Sequence, residues 1–213
     1  MKKNPGSLMT RNKFTVMMNN PRYFSNVEDE YIKSLPSMTF PGTITVVDQP
    51  ASYDAIHRFF KDEFILGFDT ETRPSFKKGR THNVALLQLS TREHAVLIRT
   101  NLVPIPRFVV DILENENIIK VGVAIKDDIN SLNRLVSFKP GGFVDLQQFV
   151  KKFGIEDNGL KKLVANIMGF RISKKSQTSN WEQDVLSREQ LEYAATDAWV
   201  CRQMYEILNN TIN

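Results

Sequence analysis

FILGFDTETRPSF, residues 64–76, is the stretch on which the reading of this chain turns. An apolar run leads straight into Asp69-Thr70-Glu71, and the extended pattern breaks at Pro74. Alternate residues of a strand point to the same side, so Asp69 and Glu71 can reach one point. Two carboxylates that close repel, and each raises the other's pKa unless a cation lies between them. Hard oxygen ligands favour magnesium or manganese over a soft metal. Taken alone, the tripeptide suits a strand-end turn acid followed by a solvent-facing glutamate equally well.

The rest of the chain narrows the choice. At 213 residues it has room for one compact α/β domain with terminal decoration. A hydrophobic fraction of 41% and a charged fraction of 24% are those of an ordinary soluble globular protein. The single cysteine, Cys201, excludes an internal disulfide and sits in a helical pattern that suits a buried thiol. There is no Cys/His cluster for structural zinc. The start, MKKNPGSLMTRNKF, is basic but lacks the apolar run of a signal peptide, and no later stretch is long and apolar enough for a bilayer. These features predict a soluble protein of the cytoplasm or another intracellular compartment, with no membrane partner. A formal charge of +4 and a pI near 9.1 suit a polyanionic partner without demanding one.

Residues 1–41, interrupted by Pro5, Pro21, Pro36 and Pro41, read as an irregular N-terminal arm with a short helix near Val27–Leu35. Residues 42–213 read as a single domain. The patterns predict strands at Thr43–Val47, Phe64–Asp69, Asn83–Leu89, His94–Ile98, Ile118–Val123 and Phe143–Leu146. ALLQLS places its apolar residues on one face and Gln88 on the other. Helices are predicted from Pro50 to about Lys61, with Ile56, Phe59 and Phe60 inward, at Pro106–Glu114, and from Asp127 or Asp128 to about Val136. Two more follow at Leu160–Met168, stopped by Gly169, and at Arg188–Leu208. Strands followed by strands, then helices interleaved with strands, give an α/β fold with a mixed central sheet flanked by helices.

Further acids can complete a cage around the first pair. In LEYAATDAWVCRQMY, Tyr193 and Asp197 lie four apart on one helical face, and Ala194, Ala195 and Ala198 allow a close neighbour. In IIKVGVAIKDDINSL an apolar strand enters a helix that begins with Asp127 and Asp128, with Gly122 and Ala124 permitting close backbone approach. Either aspartate also suits a helix start favoured by the dipole. Two divalent ions about 4 Å apart can activate a water and stabilise the leaving oxygen of a phosphodiester. No histidine occurs near the terminal-helix motif, so a tyrosine is the residue left to orient such a water.

In chain order, FDTE, VGVAIKDDINSL and YAATD resemble the three motifs of the DEDD superfamily of 3′-5′ exonucleases, in its tyrosine-containing (DEDDy) branch. That branch includes ribonuclease D and the exonuclease domain of the Werner syndrome protein. The likeness runs from about Gly42 to Asn209 and extends to the flanks NVALLQLS, FVDLQ and KKSQTSNWEQDVLSREQLEYAATD. It implies a ribonuclease H-like three-layer fold. It also implies metal-dependent removal of nucleotides from the 3′ end of DNA or RNA as nucleoside 5′-monophosphates. By this resemblance Asp69, Glu71 and Asp197 hold one Mg²⁺ or Mn²⁺, with Asp69 bridging to a second. Asp128 supports that second ion, and Tyr193 hydrogen-bonds the attacking water. The implied partner is a nucleic acid with a free 3′ end, single-stranded or with an accessible terminus.

Thr70, Lys174, Lys175 and Trp181 are candidate substrate contacts, Lys174 and Lys175 through phosphates. Trp181 suits core packing as well as base stacking. Arg73, Lys77, Lys78 and Arg80 form a basic loop that suits either phosphates or solvent. Two other classes of function fit parts of the sequence: a nucleic-acid-binding module with a weak or decayed site, and an interaction protein working through its arm. The complete set of four acids and a tyrosine counts against decay.

Overall fold

The computed structural model describes residues 22–75 and 81–212. Residues 1–21 of the expected arm, together with Lys77, Lys78 and Arg80, lie outside them. Six strands form one mixed sheet: β1 (Thr43–Val47), β2 (Ile65–Thr72), β3 (Val84–Ser90), β4 (His94–Ile98), β5 (Ile119–Gly122) and β6 (Phe143–Asp145). Their order is β1-β4-β3-β2-β5-β6. β3 runs antiparallel to β2 and β4, whereas β1–β4, β2–β5 and β5–β6 pair in parallel.

Helices cover both faces. α1 (Asp29–Ser34) precedes the sheet, and α2 (Tyr53–His57) is flanked by 3-10 turns at Pro50–Ser52 and Arg58–Phe60. α3 (Arg107–Glu114), α4 (Lys126–Leu135), α5 (Leu146–Phe149), α6 (Leu160–Met168) and the long α7 (Arg188–Ile212) complete the chain. Leu66, Phe68, Leu87 and Leu89 pack with Ile56, Val109, Leu113 and Leu132 on one face. On the other, Val121 and Leu146 join Leu163, Val200 and Met204. The result is the three-layer α/β arrangement of a ribonuclease H-like fold.

Three features differ from the sequence expectations. β2 does not stop at Asp69 but continues through both acids to Thr72, because β3 pairs with it across Asp69↔Gln88, Thr70↔Leu87 and Glu71↔Leu86. β3 is buried along its whole length: Gln88, on the face opposite Leu87 and Leu89, is fully buried, and neither amide atom has a hydrogen-bond partner among the described residues. Both sheet faces are covered at this central strand, which erases the expected alternation.

Residues 22–41, expected to be an irregular arm, are irregular apart from α1 but closely packed. Tyr23, Val27, Ile32 and Phe40 are buried. The Val27 N–H donates to Asp157 at 2.7 Å, and the Phe40 N–H donates to the Thr196 hydroxyl at 3.0 Å.

Candidate active site

Gly67 brings β2 against α7. A Cβ on Gly67 would lie 1.8 Å from the Ala198 carbonyl oxygen, so only glycine permits this approach. Ala194, Ala195 and Ala198 are fully buried along the same helix and keep it close. Two residues beyond Gly67, Asp69 therefore emerges beside Asp197. Carboxylate oxygens of Asp69, Glu71 and Asp197 all lie within 4.8 Å of one another. Asp197 is 5% exposed, and its buried Oδ1 has no hydrogen-bond partner among the described residues.

Asp128 reaches the site from the opposite layer. Gly122 ends β5 where a Cβ would meet Ile125 Cγ2 at 2.4 Å and the Phe68 carbonyl oxygen at 2.7 Å. Ala124 then turns with φ +60°, and its N–H donates to Asp145 at 3.1 Å. That turn sets the start of α4, whose first turn carries both Asp127 and Asp128. Asp127 is exposed, whereas Asp128 is half-buried and accepts the Thr70 hydroxyl. Asp128 lies outside the close group of three. Thr70, expected as a substrate contact, ties the site together: its hydroxyl holds Asp128 and its N–H donates to Asp69 at 2.9 Å.

The electrostatics are those of an uncompensated acidic cluster. Burial, then the charges of Asp197 and Asp128, hold the Asp69 carboxyl well above the usual range. Burial and the same neighbours, with Asp69 foremost, raise Glu71. Burial pushes Asp197 up to about 7, opposed by the Tyr193 hydroxyl and by the positive charge of Lys174. Tyr193 is raised by burial and then by Asp197 and Glu71, so its hydroxyl stays protonated and acts as a donor. Burial raises Asp128, and the Thr70 hydrogen bond opposes that rise.

Three converging carboxylates, one with an orphaned buried oxygen, fit a hard divalent cation well. A cation there would satisfy Asp197 Oδ1 and remove the mutual repulsion. Cys201, one turn beyond Asp197, is 2% exposed with its thiol raised by burial, so it offers no competing soft ligand.

The periphery divides the remaining candidates. Lys174 and Lys175 are exposed, and Lys175 lines a cavity of about 330 Å³ together with Tyr193 and Asp197. Trp181 is not available to a base. It is fully buried among Leu86, Leu97, Leu186 and Ala194, with its ring 6.1 Å from that of Tyr193, which it backs. Arg73 is paired with Glu182 at 3.3 Å, and Glu182 also meets His82 at 3.2 Å.

Two residues were invisible in the sequence as parts of this assembly. Buried Arg99 at the end of β4 donates to the Gln183 and Asp184 carbonyls, fixing the loop that carries Trp181. Gln88 lies directly across the ladder from Asp69. A buried cation at a strand end and a glutamine in an apolar run were the only local signals of either.

A mixed sheet carrying three clustered carboxylates and a neighbouring tyrosine defines a nuclease-like metal site of the DEDD type. The sequence model of the 3′-5′ exonuclease family matches residues 44–213, and the chain belongs to that family. Among curated proteins it is 31% identical to the bifunctional 3′-5′ exonuclease/ATP-dependent helicase WRN of Mus musculus, over 83% of this chain and 13% of that one. It is 34% identical to exonuclease 3′-5′ domain-containing protein 2 of Drosophila melanogaster, over 68% of this chain and 25% of that protein. The chain spans about half or less of the length of these curated relatives. The solved EXO domain of Aedes aegypti Nibbler shares the fold, with a TM-score of 0.72 at 23% identity over 83% of this chain and 93% of that domain. No described helix is long and apolar enough to cross a membrane.

Proposed function

We propose that this chain removes nucleotides one at a time from the 3′ end of DNA or RNA, in an intracellular setting, and releases nucleoside 5′-monophosphates. The observation that carries the reading is the convergence of Asp69, Glu71 and Asp197 within 4.8 Å, with a buried, unpartnered Asp197 oxygen. In this reading Asp69, Glu71 and Asp197 would hold a magnesium or manganese ion, and Asp69 and Asp128 would help to hold a second. Such ions, when bound, supply a water of lowered pKa and neutralise charge at the leaving oxygen.

The chain's own groups do the rest. Tyr193, kept protonated by burial and its acidic neighbours, orients the attacking water by donating to it. Thr70 aims Asp128 by donating its hydroxyl, which also opposes the rise that burial causes in the Asp128 pKa. Lys174, close enough to lower the pKa of Asp197, draws the scissile phosphate toward the acids.

The test uses single-stranded DNA and RNA labelled at the 5′ end, with magnesium, manganese or EDTA. The expected result is a metal-dependent ladder shortening from the 3′ end, with 5′-monophosphates as the only products. Internal cuts, or nucleoside 3′-monophosphates, would show that the reaction is a different one.

A further inference from the structure

Beside the cavity that contains Tyr193 and Asp197 lies a second hollow of about 420 Å³, bordered by α1, the start of α6 and residues 171–175. Arg171, Ser173 and Lys175 line both, so the two adjoin. The lining of the second includes Lys33, Lys161, Arg171, Lys174 and Lys175 and no acidic residue. We propose that this trough carries the backbone phosphates of a single strand on the 5′ side of the scissile bond. The proposal rests on the exonuclease reading for its direction: only one nucleotide lies 3′ of that bond, so further phosphates must fall on the 5′ side.

The cations come from three separate parts of the chain. Lys161, Lys174 and Lys175 have no ion-pair partner among the described residues. Lys33 meets Glu30 at 3.0 Å, but both side chains are more than two-thirds exposed, and such a pair is readily exchanged for a phosphate. Five cations gathered with Glu30 as the one ion-paired acid among them repel one another, and a polyanion relieves that repulsion. Glu189 and Glu192 line only the first cavity, whereas Lys33 and Lys161 line only the second. Ile32 and Ile172 are the only apolar residues in its lining, and there is no aromatic platform. Its contacts therefore read phosphates rather than bases, without sequence preference.

Arg171 fixes this geometry. Its Nε donates to the Leu35 carbonyl and its N–H to the Pro36 carbonyl, each at 2.9 Å, while its own carbonyl accepts the Met38 N–H at 2.9 Å. Residues 35–38 are thereby pinned to the domain. The segment before the sheet thus supplies Lys33 to the trough and the Ser37–Thr39 wall to the catalytic cavity.

The test compares the full chain with the Lys33→Ala/Lys161→Ala double variant, both positions lining the trough and not the cavity that contains Tyr193 and Asp197. Cleavage is measured on a single strand of about 12 nucleotides and on a dinucleoside monophosphate, whose single phosphate is the scissile one and leaves none for the trough. The ratio of kcat/KM for the long strand over the dinucleoside monophosphate is expected to fall about tenfold. Binding of the long strand in EDTA, followed by anisotropy, should show a log K against log salt slope shallower by about 1.4, for two lost phosphate contacts. The Lys33→Arg/Lys161→Arg variant should keep both properties.

An unchanged ratio and slope, in a wild type that cleaves, would overturn the trough and leave the exonuclease reading standing. A wild type that binds with the expected slope change but cleaves nothing would do the reverse. Equal binding of poly-glutamate, lost in the same variant, would reassign the trough to acidic protein segments.

Discussion

Gly67 of β2 and Ala198 of α7 meet so closely that a single added methyl would lie 1.8 Å from a backbone oxygen. This contact holds the third carboxylate against the first two. Gly67→Ala must push the helix from the strand by about an ångström or more, and overpacking of this kind costs about 1–3 kcal/mol. The folded remainder is expected to lose cleavage by at least about a hundredfold, since an ångström of misplacement costs that much at a reacting centre. A melting curve and a single-turnover rate check both, and retained activity would show that the close approach is not what sets the site.

Thr70 joins the two layers at the site by holding Asp128. Thr70→Val keeps the shape but removes the donor, at a cost of about 1 kcal/mol in stability. Without that hydrogen bond Asp128 rises further, so the acidic limb of the pH–rate profile should move to higher pH. Thr70→Ser should restore the wild-type profile.

Stability should depend on pH in a direction opposite to that of most carboxylates. Burial raises Asp197 from 3.8 to about 7. Between those values the metal-free folded chain binds more protons than the unfolded chain, so stability in EDTA falls as pH rises from about 4 to 7. Magnesium competes with those protons and should cancel the decline, most strongly at the upper end of the window. Asp197→Asn should remove its own share of the EDTA decline, leaving the part due to buried Asp69, Glu71 and Asp128, and should weaken the response to magnesium. Melting temperature measured against pH, with and without magnesium, reads both effects.

Tyr193→Phe removes the donor that orients water but leaves all four carboxylates. Turnover should fall by roughly a hundredfold, while the magnesium concentration for half-maximal activity changes little. A parallel loss of metal affinity would make Tyr193 part of the metal cage instead.

Much of this site was legible in the sequence because its parts are local. Asp69 and Glu71 follow from period two and Tyr193 and Asp197 from one helical turn, while the strand-to-helix junction that Gly122 and Ala124 shape offers Asp127 and Asp128 alike, and only the family resemblance singles out Asp128. β1, β4 and α6 likewise lie where their patterns place them. What escaped depends on partners distant in sequence. The length of β2 is set by pairing with β3, the burial of Gln88 by layers on both faces, and the burial of Trp181 by Leu86, Leu97 and Ala194. The packing of residues 22–41 rests on Asp157, Arg171 and Thr196, each more than a hundred residues away.

In the proposed reaction Asp69, with Glu71 and Asp197, forms the metal cage that cuts a 3′ terminus. Wild type and Asp69→Asn are compared on one 5′-labelled single strand in magnesium. A 3′-end ladder is expected for the wild type, with its near-complete loss in the variant and an unaltered fold by circular dichroism. A folded Asp69→Asn protein that degrades the strand at the wild-type rate would contradict that assignment.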